Sequence, residues 1–232
     1  MISRPLALTF AGFAALGAAV LGAFVYERTH SPAGPAPLTI ATMAVTPPQP
    51  PAAPTGPATE TVPTQRPLFA LPDLEGKTHS IAEWDGKPLI VNFWATWCAP
   101  CRREMPLLNR IKHEYAIKGV EIVGIAVDIA ADVKTYVTKF PVDYPVLVGD
   151  QDGIDAARDF GITDPVFPFT AFIDAKGRVL MIHVGELHEP TARAILGVVL
   201  RADTEALSPE AARAAVKAAL AALPPDEPAP AG

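Results

Sequence analysis

The only two cysteines of this 232-residue chain lie three positions apart, in Trp97-Cys98-Ala99-Pro100-Cys101. Two intervening residues let both sulfurs meet within one turn, so a disulfide can open and close with little backbone movement. The pair follows an apolar run rich in β-branched residues and opens a helical pattern. A helix N-terminus offers unpaired N–H groups and the positive end of the dipole, and both stabilise a thiolate. Cys98, at the helix start, is therefore read as the nucleophile. Cys101 is the resolving thiol that attacks the mixed disulfide. Pro100 falls early in the helix, where a missing N–H costs little. Other uses of the pair are weaker. A Cys₄ zinc site needs two more cysteines, and His79, His113, His183 and His188 are scattered without metal-ligand spacing. Two inert buried cysteines would require strand, tryptophan, proline and helix to coincide. A dithiol carrying Cu(I), aided by His183 or His188, is the non-enzymatic alternative: a metallochaperone or tethered binding module. No metal and no organic cofactor is expected; the redox group is the Cys98–Cys101 disulfide itself.

The elements that must position this pair can be read around it. Leu89–Ala95 and Val120–Val127 are short apolar runs, the pattern of strands buried on both faces. Between them the segment 99–118 has apolar residues at helical spacing. Val133, Tyr136, Val137 and Phe140 predict a second helix with Asp132 as its N-cap. A third is expected over Ile154–Phe160 and a fourth over Thr191–Arg201. Phe169–Asp174 and Arg178–Val184 flank Ala175-Lys176-Gly177, which reads as a hairpin turn. The order β-α-β-α-α-β-β-α implies an α/β fold, a mixed central sheet with helices on both faces. Pro168 directly precedes the Phe169 strand, where its lack of an N–H is tolerated. A trans bond there is the ordinary reading. A cis Phe167–Pro168 bond would turn the proline toward the cysteine pair and leave the Phe167 backbone free to pair with a peptide.

Composition bounds the rest. Half of the residues are hydrophobic and the net charge is only −6, which argues against a wholly disordered chain. Two cysteines exclude a disulfide-stapled mini-protein. The acidic balance disfavours nucleic-acid binding. Residues 6–26 are uncharged and long enough to span a bilayer as a helix. Residues 1–30 are read as an uncleaved single-pass membrane anchor in preference to a cleaved signal, whose apolar region is usually shorter. Cleavage would give a soluble periplasmic protein instead. Eleven prolines between Ser31 and Pro67 mark residues 31–66 as an extended flexible linker. The folded domain is placed at 67–205. Ser208-Pro209-Glu210 opens an alanine-rich helix over 206–224, expected to be peripheral, and 225–232 is read as a disordered tail.

The run Asn92-Phe93-Trp94-Ala95-Thr96-Trp97-Cys98-Ala99-Pro100-Cys101-Arg102-Arg103-Glu104-Met105-Pro106 resembles the TlpA-like branch of membrane-anchored thioredoxin-fold proteins, which includes ResA- and CcmG-type reductases. Phe160-Gly161, Phe167-Pro168-Phe169-Thr170 and Ile173-Asp174 resemble that family's cis-proline segment, and Phe69–Asp73 with Gly76-Lys77 its N-terminal hairpin. Gly124–Asp128 resembles the strand after its active-site helix. The resemblance implies a thioredoxin-like fold with a hairpin extension and an inserted helical segment. It implies that Pro168 is the cis-proline, that Pro106 kinks the active-site helix, and that Glu104 tunes the thiols. Asn92 stands where thioredoxin has a buried aspartate, so proton handling falls to Glu104, water or another group. Trp94 and Trp97 are expected to pack and to form a substrate platform. The implied activity is a periplasmic reductase of protein disulfides, re-reduced by a membrane thiol transporter of the DsbD or CcdA type. Cytochrome c maturation and copper-site thiols are the expected substrates. A peroxiredoxin fares worse, because Ala95 and Val91 stand where its hydroxyl residue and proline would be. An oxidase stays open, since direction depends on potential and partners.

Overall fold

The computed structural model describes residues 62–224. The expected anchor, most of the proline-rich linker and the tail lie outside the described residues. Within them, a five-stranded mixed sheet has the order β5-β4-β3-β6-β7. It is built from β3 (Leu89–Trp94), β4 (Glu121–Ala126), β5 (Val146–Val148), β6 (Phe169–Ile173) and β7 (Val179–Val184). β3 runs parallel to β4 and antiparallel to β6. A separate hairpin pairs β1 (Ala70–Pro72) with β2 (Thr78–Ser80). The helices are α1 (Ala99–Tyr115), α2 (Ala130–Lys139), α3 (Gln151–Asp159), α4 (Glu189–Thr204) and α5 (Pro209–Ala221).

Every residue of β3 is buried, which is why its sequence does not alternate. Its even positions share a face with α1, α4 and α5, where Ile90, Leu108, Ile122, Phe172 and Ile195 form one core. Its odd positions, Val91 and Phe93, pack with Leu71, Ile81, Ala156 and Phe160 on the other face. The Ala175-Lys176-Gly177 turn joins β6 to β7, with Gly177 at φ 75°, a backbone conformation that glycine adopts at no steric cost.

Several expectations need correction. β5 was not anticipated; it pairs in parallel with β4 through Gly124↔Val146, Ile125↔Leu147 and Ala126↔Val148. α2 starts at Ala130 with Ile129 as N-cap, so Asp132 lies in its first turn and is not the cap. α3 begins at Gln151, before the expected Ile154. The linker does not extend to residue 66: Thr64 accepts from Val179 N–H, Gln65 bridges to Arg178, and Arg66 donates to Gly177. The alanine-rich helix is part of the core. Ser208 caps it, Ala212 and Val216 are fully buried, and Arg213 donates to the carbonyls of Val179 and Pro63.

Candidate active site

β3 ends at Trp94, the chain turns through Ala95-Thr96-Trp97, and α1 starts after Cys98. Cys98 is the N-cap of α1 (φ −81°, ψ 106°), and its sulfur accepts from Cys101 N–H at 3.3 Å. The two sulfurs are joined in a disulfide, with Cα atoms 5.3 Å apart. Cys98 is 5% exposed and Cys101 is fully buried. Accessibility and N-terminal placement therefore favour Cys98 as the attacking sulfur: on reduction, the same N–H donates to its thiolate. Pro100 occupies the first turn of α1. Pro106 lies inside the helix, where its ring nitrogen cannot donate to the Arg102 carbonyl.

The turn carrying Cys98 is clamped from the segment just after β4. Asp128 Oδ2 accepts from Thr96 N–H at 2.9 Å and from Thr96 Oγ1, and Asp128 Oδ1 accepts from Ile129 N–H at 2.8 Å. On the opposite side the Phe167–Pro168 bond is cis. The exposed Trp97 ring meets Phe167 edge to face, with centroids 6.3 Å apart. Phe167 packs against the cluster that contains both cysteines. Among the described residues, no backbone–backbone hydrogen bond outside the regular elements uses the Phe167 N–H or carbonyl. Ile129 and Val166 add exposed apolar surface.

Glu104 follows Cys101 by three residues, and so lies on the same side of α1. It is 1% exposed. Its Oε1 accepts from Asn92 Nδ2 at 2.7 Å, and its Oε2 accepts from Leu187 N–H at 2.7 Å. Asn92 also donates to Thr170 Oγ1 at 3.0 Å. Burial lifts the Glu104 carboxyl from its ordinary 4.5 to about 7; the two hydrogen bonds pull the other way, and the Glu186 charge adds to the rise. Glu186 is held by Arg103, whose Nε donates to both carboxylate oxygens. One short loop after β7 thus serves two parts of the site. Gly185 N–H donates to the Pro168 carbonyl at 2.8 Å, and Leu187 N–H to Glu104. Trp94 is fully buried against Tyr136 of α2, so it packs and offers no platform surface.

Cys98, Cys101, Glu104, Asn92, Trp97, Phe167 and Pro168 thus gather in one region. His183 bonds to the Glu186 carbonyl, and His188 is the N-cap of α4. Among the described residues, no group of three or more His, Cys, Asp or Glu side chains is placed to hold a metal ion. Sequence reasoning missed Thr96, Asp128, Thr170 and Leu187. Asp128 had a readable signal: it lies just past the carboxyl end of a strand parallel to the one that leads into the cysteines, and such carboxyl ends border sites in open α/β sheets. Leu187 acts through its backbone and had none.

This geometry can be set beside known proteins. The Redoxin family model matches residues 57–196. The thiol-disulfide oxidoreductase ResA of Geobacillus thermodenitrificans is 36% identical over 122 residues, covering 52% of this chain and 68% of that protein. The thioredoxin-like protein YneN of Bacillus subtilis is 35% identical over 129 residues, covering 53% of this chain and 71% of the relative. Among solved structures, a secreted thiol-disulfide isomerase from Corynebacterium glutamicum matches with TM-score 0.53 and 26% identity, covering 59% of this chain and 84% of that one. A structure from Chlorobium tepidum assigned as a thiol:disulfide interchange protein DsbE gives TM-score 0.52 and 28% identity over 60% of this chain and 94% of that one. A strand-to-helix cysteine pair, a cis-proline opposite it and these relatives agree: the chain belongs to the Redoxin family, as a thiol-disulfide oxidoreductase of the thioredoxin superfamily.

Proposed function

We propose that the protein works as a reductase of protein disulfides on the outer side of the cytoplasmic membrane, held there by its N-terminal apolar segment. The observation that carries this reading is the buried Glu104 carboxyl placed beside the buried resolving thiol. Reduction of a substrate runs in two steps. The Cys98 thiolate attacks one substrate sulfur, and the other leaves as thiolate. Cys101 then gives its proton to Glu104, and its sulfur attacks Cys98 Sγ. The Cys98–substrate bond breaks, with the electron pair leaving on the substrate sulfur. A carboxyl poised near neutral pH is well matched to accept that second proton. The exposed Trp97, with Phe167 and its free backbone groups beside cis-Pro168, suits an extended peptide flanking the disulfide.

An oxidising compartment would leave the pair as the disulfide, so electrons must arrive from a partner. A membrane thiol transporter of the DsbD or CcdA type fits that need. Apocytochrome c and copper-site thiols are the proposed substrates. The test is reduction of a protein disulfide by the pre-reduced protein. Cys98→Ser should abolish it, and Cys101→Ser should stall as a mixed disulfide on Cys98. Equal activity of Cys98→Ser and the parent would refute the dithiol mechanism.

A further inference from the structure

The loop after β7 meets the site through three consecutive residues. Gly185 N–H donates to the Pro168 carbonyl at 2.8 Å, the Glu186 carboxylate accepts from Arg103, and Leu187 N–H donates to Glu104 Oε2 at 2.7 Å. Two of these links come from successive residues of α1, Arg103 and Glu104. The two ends of the loop are held differently. Leu187 is 1% exposed and belongs to the core that contains Leu108 and Ile195, so packing fixes that end. Gly185 turns at φ 99°, a Cβ there would meet nothing within 4 Å, and the neighbouring Val184 is 44% exposed. Bonds hold this end instead. Gly185 reaches Pro168, and His183 Nε2 lies 3.1 Å from the Glu186 carbonyl. Arg103 grips the Glu186 carboxylate with Nε at 3.1 and 2.9 Å from its two oxygens, and with Nη2. A forked arginine–carboxylate pair fixes direction as well as distance, which sets it apart from an ordinary surface ion pair.

We propose that Arg103 is a positioning residue for the reaction: its fork on Glu186 pins the unpacked end of this loop, and so sets the cis-Pro168 carbonyl and pairs the Glu186 charge beside Glu104. This rests on the reading of Glu104 as the base for Cys101 and of the Pro168 face as the peptide-binding one. Arg103 acts through Glu186 and takes no part in the sulfur chemistry itself. Its two effects separate. Pinning bears on a peptide bound beside Pro168, and charge pairing bears on the proton. The Glu186 charge already favours the protonated form of Glu104. Freeing that charge from Arg103 therefore favours it further, and removing the charge does the reverse. The other groups around Glu104 stay as they are: Asn92 from β3 with Thr170 of β6 behind it, Cys101 on its own helix, the Leu187 N–H, and Tyr144 ahead of β5, whose buried hydroxyl stays protonated. His183 remains on the Glu186 carbonyl.

The test uses the reduced full-length protein with two substrates: an uncharged aromatic disulfide whose released product is coloured, and a self-quenched fluorescent peptide closed by one disulfide. With the aromatic reagent in excess, Cys98 attack releases a first equivalent of colour and resolution by Cys101 a second. Arg103→Gln should leave the first equivalent unchanged and slow peptide reduction about fivefold or more. Glu186→Gln should slow the peptide equally, because it breaks the same fork. The pH midpoint of the second equivalent should rise by about half a unit in Arg103→Gln and fall in Glu186→Gln. Arg103→Lys, which keeps the charge and loses the fork, should restore the midpoint and leave the peptide slow. A general loss of structure would move both midpoints the same way, and that result overturns the proposal. So does parent-like peptide reduction by Arg103→Gln. Glu104→Gln tests the underlying reading separately: if it leaves the second equivalent and its pH dependence unchanged, Glu104 is not the base, and the role of Arg103 in charge pairing falls with it.

Discussion

Replacing Glu104 by glutamine keeps the shape of the side chain and removes its titration. Burial raises this carboxyl from 4.5 to about 7, so between those values the folded protein holds a proton that the unfolded chain has released. The sign follows from that. The carboxyl's contribution to stability is fully present below about pH 4.5 and is lost as pH rises through about 7. At 1.36 kcal/mol per pKa unit, the loss amounts to roughly 3 kcal/mol. Glu104 is 1% exposed, so solvent screening does not reduce the figure.

The glutamine has partners waiting. Its oxygen can keep the Leu187 N–H. The Asn92 amide, whose Oδ1 has no partner, can turn to accept from the new amide nitrogen, with the Thr170 hydroxyl donating to the same oxygen. Urea unfolding of the oxidised protein and of Glu104→Gln, followed from about pH 4.5 to about 8.5, checks the reasoning. The stability difference should move toward the variant by roughly 3 kcal/mol over that range. Any constant offset from imperfect bonding cancels in the comparison. Parallel stability curves would refute the claim that this buried carboxyl titrates near neutrality.

Three further outcomes follow from other contacts. Asp128→Ala removes the acceptor of Thr96 N–H and Thr96 Oγ1; it should cost about 1–2 kcal/mol and slow Cys98 attack, read as the rate at which the reduced protein reacts with a coloured aromatic disulfide, by loosening the turn that carries Trp97. Asp174→Ala removes the carboxylate hydrogen-bonded to the buried Arg178 guanidinium, leaving only Asp203 at 4.0 Å, and should destabilise by about 3 kcal/mol in thermal or urea unfolding. Val216→Ala tests whether α5 is part of the core: Val216 is 1% exposed, so a loss of about 2 kcal/mol is expected, and no change in the urea midpoint would mean that α5 is only loosely attached.

The chain announces some of this architecture and conceals the rest for physical reasons. β3 and β4 were legible because a strand buried on both faces needs an unbroken apolar run, and Leu89–Trp94 supplies one. The β6–β7 turn was legible through Gly177. β5 was not: three residues after Pro145 carry too little pattern, and the strand exists because β4 offers it an edge. The start of α2 was misplaced because Asp132 has a cap-forming side chain, whereas the structure places Ile129 at the cap and the nearby Asp128 carboxylate on the Ile129 N–H. The cysteines were legible by type and spacing. The partners of Glu104 were hidden because Thr170 and Leu187 come from distant segments, and neither carries a chemical signature of its own.

Asn92 explains why the carboxyl has a fixed character. A polar residue in the middle of a wholly buried strand is costly unless it is bonded, and here its amide donates to both Glu104 and Thr170. The carboxyl is thus held by β3 through Asn92 and by the post-β7 loop through Leu187, with β6 bracing Asn92 from the far side. None of these belongs to the Thr96–Cys98 turn. The same loop holds the Pro168 carbonyl through Gly185, so the cis-proline and the Glu104 carboxyl share one support. A displacement of Trp97 and Cys98 would therefore leave in place the contacts that bury the carboxyl. The proton affinity of the site belongs to the sheet and its loop, and the reactivity of Cys98 belongs to the helix end. The two properties can be altered separately: Asn92 and Leu187 bear on the first, and Thr96 and Asp128 on the second.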